Sequence, residues 1–326
     1  ELARVFGIDF TSVMTRGSQY RVESMMLRLC RSQRFAVASP DQMQVKAQAA
    51  PEAIALIMEP EGKLYTSPVI VLDFRSLYPS VIIAYNYCYS TCLGPISTVR
   101  KLLEGGSGGH RFGCLELSAR GFCTKAEADV HRTPATQLRA SLSRLAAGAP
   151  LCPQDEEERS SGDRGGCGSA GSPNSACGVH ASPNGVLFAT SRSRPGILPR
   201  LLREILETRF MVKRAMKQVP VGSALHRTLN ARQFGLKLIA NVTYGYTSAS
   251  FSGRMPSVHL ADAIVQTGRD TLQRTIDLVN CHPRWAAKVV YGDTDSLFVL
   301  LEGRSRSEAF AIGREIAATV TAANPH

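Results

Sequence analysis

Cysteine pairs at metal-binding spacing are missing from this sequence, and so are long apolar runs. None of the nine cysteines forms a Cys-x-x-Cys pair, so neither a zinc ribbon nor a disulfide framework is indicated, and free thiols in a reducing compartment are expected. Cys88 and Cys92 lie four residues apart, which leaves a metal-binding pair as the lesser alternative. No signal peptide and no stretch long enough to cross a bilayer is found, which predicts a soluble chain with no membrane partner.

Acidic residues are scarce in one stretch, and this produces the most informative charge pattern. The 326 residues carry a net charge of +11. Residues 196–256 hold ten Lys or Arg against two acids. Such a stretch favours a polyanionic partner, because cations that meet phosphates release condensed counterions. A solvated helix face is the alternative that charge alone leaves open.

With 44% hydrophobic residues, the chain is long enough to bury a core and to hold more than one substructure. Residues 1–68 show a mostly helical pattern and no evident catalytic group. Residues 144–182 show no apolar periodicity, and residues 124–181 are predicted to be a disordered insertion. The predicted segments are a lead-in at 1–68, a first strand-bearing part at 69–123, the insertion at 124–181, a connection at 182–196, a helix pair at 197–250 and a second strand-bearing part at 251–326.

Apolar periodicity predicts the two helices of that pair. The first runs from Ile197 to about Gln218 and the second from about Leu225 to Tyr244. Between them, residues 219–223 read Val-Pro-Val-Gly-Ser, which breaks a helix. Two antiparallel helices joined by a short turn are therefore expected between the two strand-bearing parts.

One aspartate stands where a buried strand is predicted to end. The apolar, mostly β-branched run at 68–72 suits a strand buried on both faces, and Asp73 follows it directly. Pro79 suits the first turn of a following helix, predicted from Ser80 to about Tyr87.

Two more aspartates lie in a predicted hairpin tip. Asp293 and Asp295 belong to a Gly-Asp-Thr-Asp turn between the strand patterns at 288–291 and 296–301. Because side chains alternate along an extended chain, both acids are expected to point to the same side. An ordinary hairpin tip is the alternative. Together with Asp73, these acids can share two magnesium ions about 3.5–4 Å apart, which nucleotidyl transfer requires.

The two predicted helices each carry a polar stripe at helical spacing. Cations placed in this way can hold a triphosphate, Asn241 can add a hydrogen bond, and Tyr244 can offer a flat surface to a base pair. Core packing is the alternative for Tyr244. The stripes are Arg209, Lys213 and Lys217 on the first helix, and Lys237, Asn241 and Tyr244 on the second.

Three segments resemble motifs A, B and C of family B DNA polymerases, and they occur in the order of that family. They begin at Asp73 (Asp-Phe-Arg-Ser-Leu-Tyr-Pro-Ser), at Lys237 (Lys-x3-Asn-x2-Tyr-Gly) and at Tyr291 (Tyr-Gly-Asp-Thr-Asp-Ser). The likeness covers most of residues 1–123 and 182–326. Val242 stands where most members of the family have Ser, and one branch of the family also has Val at this position.

This resemblance implies an α+β fold. The expected architecture is a right-hand polymerase palm with an inserted antiparallel pair of finger helices, in a chain that stops before the thumb. It also implies that Asp73 and Asp295 are the main ligands of two Mg²⁺ ions, with Asp293 in support and the Phe74 carbonyl available to one metal. No iron–sulfur cluster is expected in this chain.

The resemblance further implies how a deoxynucleoside triphosphate is bound. Ser76 and Leu77 would offer backbone N–H groups to the triphosphate, and Tyr78 would block a ribose 2′-hydroxyl. The triphosphate would be held by Arg209, Lys213 and Lys237, and the nascent base pair would be lined by Asn241 and Tyr244.

The implied function is a template-directed DNA polymerase core that transfers a nucleotide from a dNTP to a primer 3′-hydroxyl. Its partners would be primer–template DNA and dNTP. The likeness to one branch further implies translesion synthesis in the nucleus with accessory polymerase subunits. The alternative is a truncated polymerase-like fragment that binds DNA or a partner subunit without catalysis.

Overall fold

A computed structural model describes residues 1–35, 37, 40–96, 178–249 and 254–324. Within these ranges the chain mixes helices with two small antiparallel sheets, which confirms the α+β expectation. No described helix has both the length and the apolar character needed to cross a membrane. The helices are α1 (Leu2–Phe6), α2 (Phe10–Thr15), α3 (Ser18–Ser32), α4 (Gln42–Lys46), α5 (Leu77–Ala84), α6 (Ile197–Met216), α7 (Ala224–Ser248), α8 (Val258–Cys281) and α9 (Arg306–Ala323). The strands are β1 (Val69–Asp73), β2 (Cys92–Pro95), β3 (Val179–Ala181), β4 (Val186–Ala189), β5 (Lys288–Asp293) and β6 (Ser296–Leu300).

The first sheet joins the two strand-bearing parts in the order β1-β6-β5. The β5–β6 pair is the predicted hairpin, and Asp73 of β1 pairs in register with Ser296 of β6. The expectation that β1 is buried on both faces is wrong, because Val71 is 57% exposed. Helix α9 packs on the Ile70 side of this edge strand, and the Val71 side has no such cover in the described part of the chain.

The second sheet has the order β2-β4-β3, with all four residues of β4 buried. Its third strand corrects one predicted boundary. Residues Val179–Ala181 form β3 and pair with β4, so the predicted insertion does not extend to residue 181. Residues 124–177 of that predicted insertion lie outside the described residues, as do residues 97–123 of the first strand-bearing part.

The predicted helix pair is present as α6 and α7, which pack closely against each other. Helix α6 begins at the predicted Ile197, and α7 continues one turn beyond the predicted end at Tyr244. The connection at 217–223 can span at most about 25 Å. Because α6 is about 30 Å long, this connection cannot return to its start, and the two helices run antiparallel.

Helix α8 was not predicted from the sequence, and it links the two apolar cores. Its first half, including Leu260 and Ile264, belongs to the core formed with α3, α5, α6 and α7. Its second half, including Leu272 and Ile276, belongs to the core formed with β5, β6 and α9. Phe74 packs against both cores, so the end of β1 lies at their junction.

One histidine is buried in the first core without a polar partner. His180 on β3 is 1% exposed, and its ring lies about 6 Å from those of Tyr85, Tyr87 and Phe188. Neither ring nitrogen has a hydrogen-bond partner in the described ranges. Burial therefore lowers the pKa of His180 from 6.5 to about 4.

We expect His180 to make the fold sensitive to acid. Below pH 6.5 the unfolded chain binds a proton at this histidine, whereas the folded chain does so only near pH 4, so the free energy of unfolding falls as the pH falls. The loss amounts to about 3 kcal/mol over that range. Urea unfolding at several pH values gives the free energy of unfolding as a function of pH. This free energy should depend less on pH in His180→Phe than in wild type, because phenylalanine packs in the same aromatic cluster and cannot be protonated. The exposed His259, changed to Gln, is the control, and equal slopes in wild type and His180→Phe would contradict the assignment.

Candidate active site

The end of β1 and the start of α5 form a tight turn that presents the first acid. Ser76 adopts a left-handed conformation, with φ of 54°, and α5 begins directly after it at Leu77. The helix thus starts three residues earlier than predicted, with Pro79 in its first turn as expected. In the described part of the chain, the Ser76 and Leu77 N–H groups have no acceptor. Free N–H groups at a helix start can bind an anion.

The hairpin tip that holds Asp293 and Asp295 is a turn and not an extended segment. The Asp295 N–H donates to the Asp293 carbonyl, and Thr294 between them has φ of 54°. The expected alternation of side chains is therefore wrong at this point. A β-branched residue rarely adopts this conformation, and such strain persists only where surrounding structure enforces it. The Thr294 hydroxyl donates to Asp293 Oδ1 at 2.8 Å, which fixes that carboxylate.

The enforcing contacts come from a segment in which the sequence shows no catalytic group. Leu56 accepts a hydrogen bond from the Thr294 N–H, and the Met58 N–H donates to Gly292, each at 2.9 Å. We call residues 52–58 the strap. No side-chain pattern in the strap signals this role, because the hydrogen bonds to the hairpin involve the backbone alone.

Helix α8 holds the strap at its other end. The Asp262 carboxylate accepts hydrogen bonds from the Glu52 and Ala53 N–H groups at 3.1 Å. Arg269, about two turns further along the same face of α8, donates to the Ile54 carbonyl. The strap therefore ties the hairpin tip to α8.

The two motifs with acids meet where β1 pairs with β6. The Phe74 N–H donates to the Asp295 carbonyl at 2.7 Å, which places the residue after Asp73 beside the hairpin tip. Burial, then the nearby negative charges of Asp73 and Asp293, raise the pKa of the Asp295 carboxyl. The fold has thus brought like charges together at this point.

The donor set at this junction fits Mg²⁺. Asp73 and Asp295 are two carboxylates with mutually unfavourable charges, and the Phe74 carbonyl follows Asp73 directly. Magnesium takes oxygen ligands, needs only one or two carboxylates and keeps several waters. Three or more Asp, Glu, His or Cys side chains do not converge on one point anywhere in the described ranges.

Tyr78 and Tyr244 bring motifs A and B together next to the acids. Their ring centroids lie 4.8 Å apart with an interplanar angle of 38°. Burial, then Tyr244, Asp295 and Asp293, raise the pKa of Tyr78 to about 12. The Tyr78 hydroxyl is therefore neutral at physiological pH and lies within electrostatic reach of the motif C acids.

The predicted phosphate-binding cations lie on the helix pair without acidic partners. In the part of the chain that the structure describes, Arg209, Lys213 and Lys237 form no salt bridge, and the buried Arg209 Nε has no acceptor. The neighbouring Phe210 packs under the Arg75 guanidinium at 4.0 Å, which brings α6 to the motif A turn. None of the three cations contacts the acids directly. Asn241 is exposed on α7.

The chain belongs to DNA polymerase family B, whose family-level profile matches residues 8–326. Within that family it is similar to catalytic subunits of DNA polymerase zeta. It is 48% identical to the subunit from Arabidopsis thaliana, 47% to that from Homo sapiens and 43% to that from Saccharomyces cerevisiae, each over 100% of this chain. The chain spans 14%, 9% and 18% of the lengths of these three relatives, respectively.

A solved structure supports the fold. The family B DNA polymerase from the hyperthermophilic archaeon Pyrobaculum calidifontis matches with a TM-score of 0.53 and 23% sequence identity. The match covers 95% of this chain and 29% of that polymerase. This likeness supports the expected polymerase-type fold for the described residues.

Proposed function

We propose that this chain is the core of a template-directed DNA polymerase that transfers a nucleotide from a dNTP to a primer 3′-hydroxyl. The observation that carries the proposal is the meeting of Asp73 and Asp295 where β1 pairs with β6, with Tyr78 and Tyr244 beside them. In this proposal the sheet β1-β6-β5 and its helices form the palm, and α6 and α7 form the fingers.

Asp73, Asp295 and the Phe74 carbonyl would hold two Mg²⁺ ions, with Asp293 in support. Bound magnesium would supply activation of the primer hydroxyl and stabilisation of charge on the transferred phosphoryl group. The chain's own contribution is to hold two carboxylates together despite their repulsion, through the Phe74 to Asp295 hydrogen bond and the strap.

The triphosphate would lie along the start of α5. The free Ser76 and Leu77 N–H groups would donate to it, and the unpaired cations of the helix pair would neutralise it. Tyr78 would stand against the sugar and exclude a 2′-hydroxyl, and Asn241 and Tyr244 would line the base pair. The cations are Arg209, Lys213 and Lys237.

The similarity to polymerase zeta subunits supports a more specific role for this chain. We propose translesion synthesis in the nucleus together with accessory polymerase subunits. The second candidate function is a polymerase-like fragment that binds DNA or a partner without extending it, and the excess of Lys and Arg at 196–256 favours binding of a polyanion.

Primer extension in Mg²⁺ separates the two candidate functions. The chain is expected to add the templated dNTP to a labelled primer, measured beside a binding assay on the same DNA. Binding without extension would support the fragment alternative, and extension that ignores the template base would contradict a template-directed polymerase.

Lys237→Ala is expected to raise the KM for dNTP with a smaller change in kcat, because an exposed, unpaired cation would lose its contact with phosphate. A charge-assisted contact of about 2 kcal/mol corresponds to roughly a 30-fold change. Steady-state single-nucleotide insertion measures both constants. Lys46→Ala, an exposed lysine on α4, is the matched control. A KM that stays the same in both variants would remove Lys237 from the triphosphate site.

A further inference from the structure

Helix α8 approaches Tyr78 at a glycine. Gly268 is buried in the middle of α8, where glycine is a poorer helix former than alanine. A Cβ at this position would lie 3.2 Å from Tyr78 Cε1 and 3.6 Å from Tyr78 Cδ1. The missing side chain therefore leaves the space into which the edge of the Tyr78 ring fits.

Two further contacts show that this space is held at a fixed width. The Tyr78 ring also packs against Tyr244 of α7. Next to Gly268, Thr267 shares a 2.8 Å hydrogen bond with the Tyr87 hydroxyl, in the segment that follows α5. Because Tyr87 and Thr267 are both buried, this bond holds α8 against the segment that directly follows the helix that carries Tyr78.

We infer that Gly268 is a positioning residue for sugar selection, because it sets how far the Tyr78 ring stands from α8 and hence how close it comes to the sugar of the incoming nucleotide. The inference rests on the proposed role of Tyr78. It assigns part of substrate selection to a helix that carries none of the three polymerase motifs.

Gly268→Ala tests this inference with the smallest possible change. The neighbouring ring must yield by a few tenths of an ångström, and it can yield only away from α8. Since a misplacement of about 1 Å can cost about a hundredfold, we expect a change of about three- to tenfold here. The displaced ring should stand closer to the sugar, so the ratio of kcat/KM for ATP to that for dATP should fall.

The double variant shows whether the effect passes through Tyr78. In a Tyr78→Ala background the methyl group at residue 268 has no ring to displace, so adding Gly268→Ala should leave the sugar ratio unchanged. Gly313→Ala is the matched control, because a Cβ there would lie 3.1 Å from Ile70 Cδ1 in the α9–β1 contact and not near Tyr78. An unchanged ratio in Gly268→Ala, or an equal change without the Tyr78 ring, would overturn the inference.

A measurement that needs no activity separates this inference from the proposed function. In NMR spectra of the chain with ¹³C-labelled tyrosine, the ring signal of Tyr78 is the one that disappears in Tyr78→Phe. Gly268→Ala should shift this signal, and Gly313→Ala should not. A shifted signal in a chain that fails to extend primers would overturn the polymerase proposal and leave the positioning contact in place. An unmoved signal would overturn the positioning role whatever the activity.

Discussion

Asp295→Asn is expected to abolish magnesium-dependent primer extension by this chain while primer–template binding persists. The substitution keeps the shape of the side chain and removes the charge that would bind metal. Metal stabilisation of the transition state is worth several kcal/mol, so the rate should fall by about a thousandfold or more. The backbone carbonyl of Asp295, which accepts the Phe74 N–H, is retained, so the turn should be preserved.

A stability measurement checks that this loss is not unfolding. Because burial and the charges of Asp73 and Asp293 raise the pKa of Asp295, its ionised form disfavours the folded state above that pKa. Asp295→Asn should therefore unfold at the same or a higher temperature than wild type at neutral pH. Asp277→Asn, on an exposed face of α8, is the matched control. Full extension activity in Asp295→Asn would show that this carboxylate is not a metal ligand of the reaction.

Tyr78→Ala is expected to increase ribonucleotide insertion, by about a hundredfold relative to deoxynucleotide insertion, because the wall that excludes a 2′-hydroxyl is lost. The ring is the relevant group, since it is held by contacts with Tyr244 and α8. Tyr78→Phe retains the ring and removes only the hydroxyl, so it should keep the wild-type preference. Single-nucleotide insertion of ATP and dATP opposite a template thymine gives the ratio.

The Tyr78→Phe variant separates the role of the hydroxyl from that of the ring. If Tyr78→Phe loses sugar selection to the same extent as Tyr78→Ala, the hydroxyl and not the bulk of the ring is responsible. If neither variant changes the ratio, Tyr78 does not select the sugar.

The helix pair and the hairpin were predictable because their signals are local. Apolar spacing placed the start of α6 at Ile197, and the breaker at 219–223 separated it from α7. Turn residues between two apolar runs placed the β5–β6 hairpin. The roles of the metal, triphosphate and base-pair residues stay predictions, because the support for these roles is that the fold places the residues near one another.

Other features were missed or misjudged because they depend on neighbours far away in sequence. An apolar run such as β1 has the same pattern whether one or both faces are covered, and the cover comes from α9. The hairpin tip was expected to be extended, but the strap holds Thr294 in a left-handed conformation. Helix α8 carries no motif, and its apolar face was not recognised.

The sequence alone determined which chemical groups are present and in what order: three acids, the cations of the helix pair and the aromatic residues of motifs A and B. Local periodicity and turn chemistry are sufficient for that. The tertiary structure alone decided that Asp73 lies beside Asp295, that the strap holds the hairpin tip and that Gly268 contacts Tyr78. These contacts join distant parts of the chain, such as Glu52 and Asp262, which lie 210 positions apart in the sequence. The packing of α8 between the two cores brings these parts together.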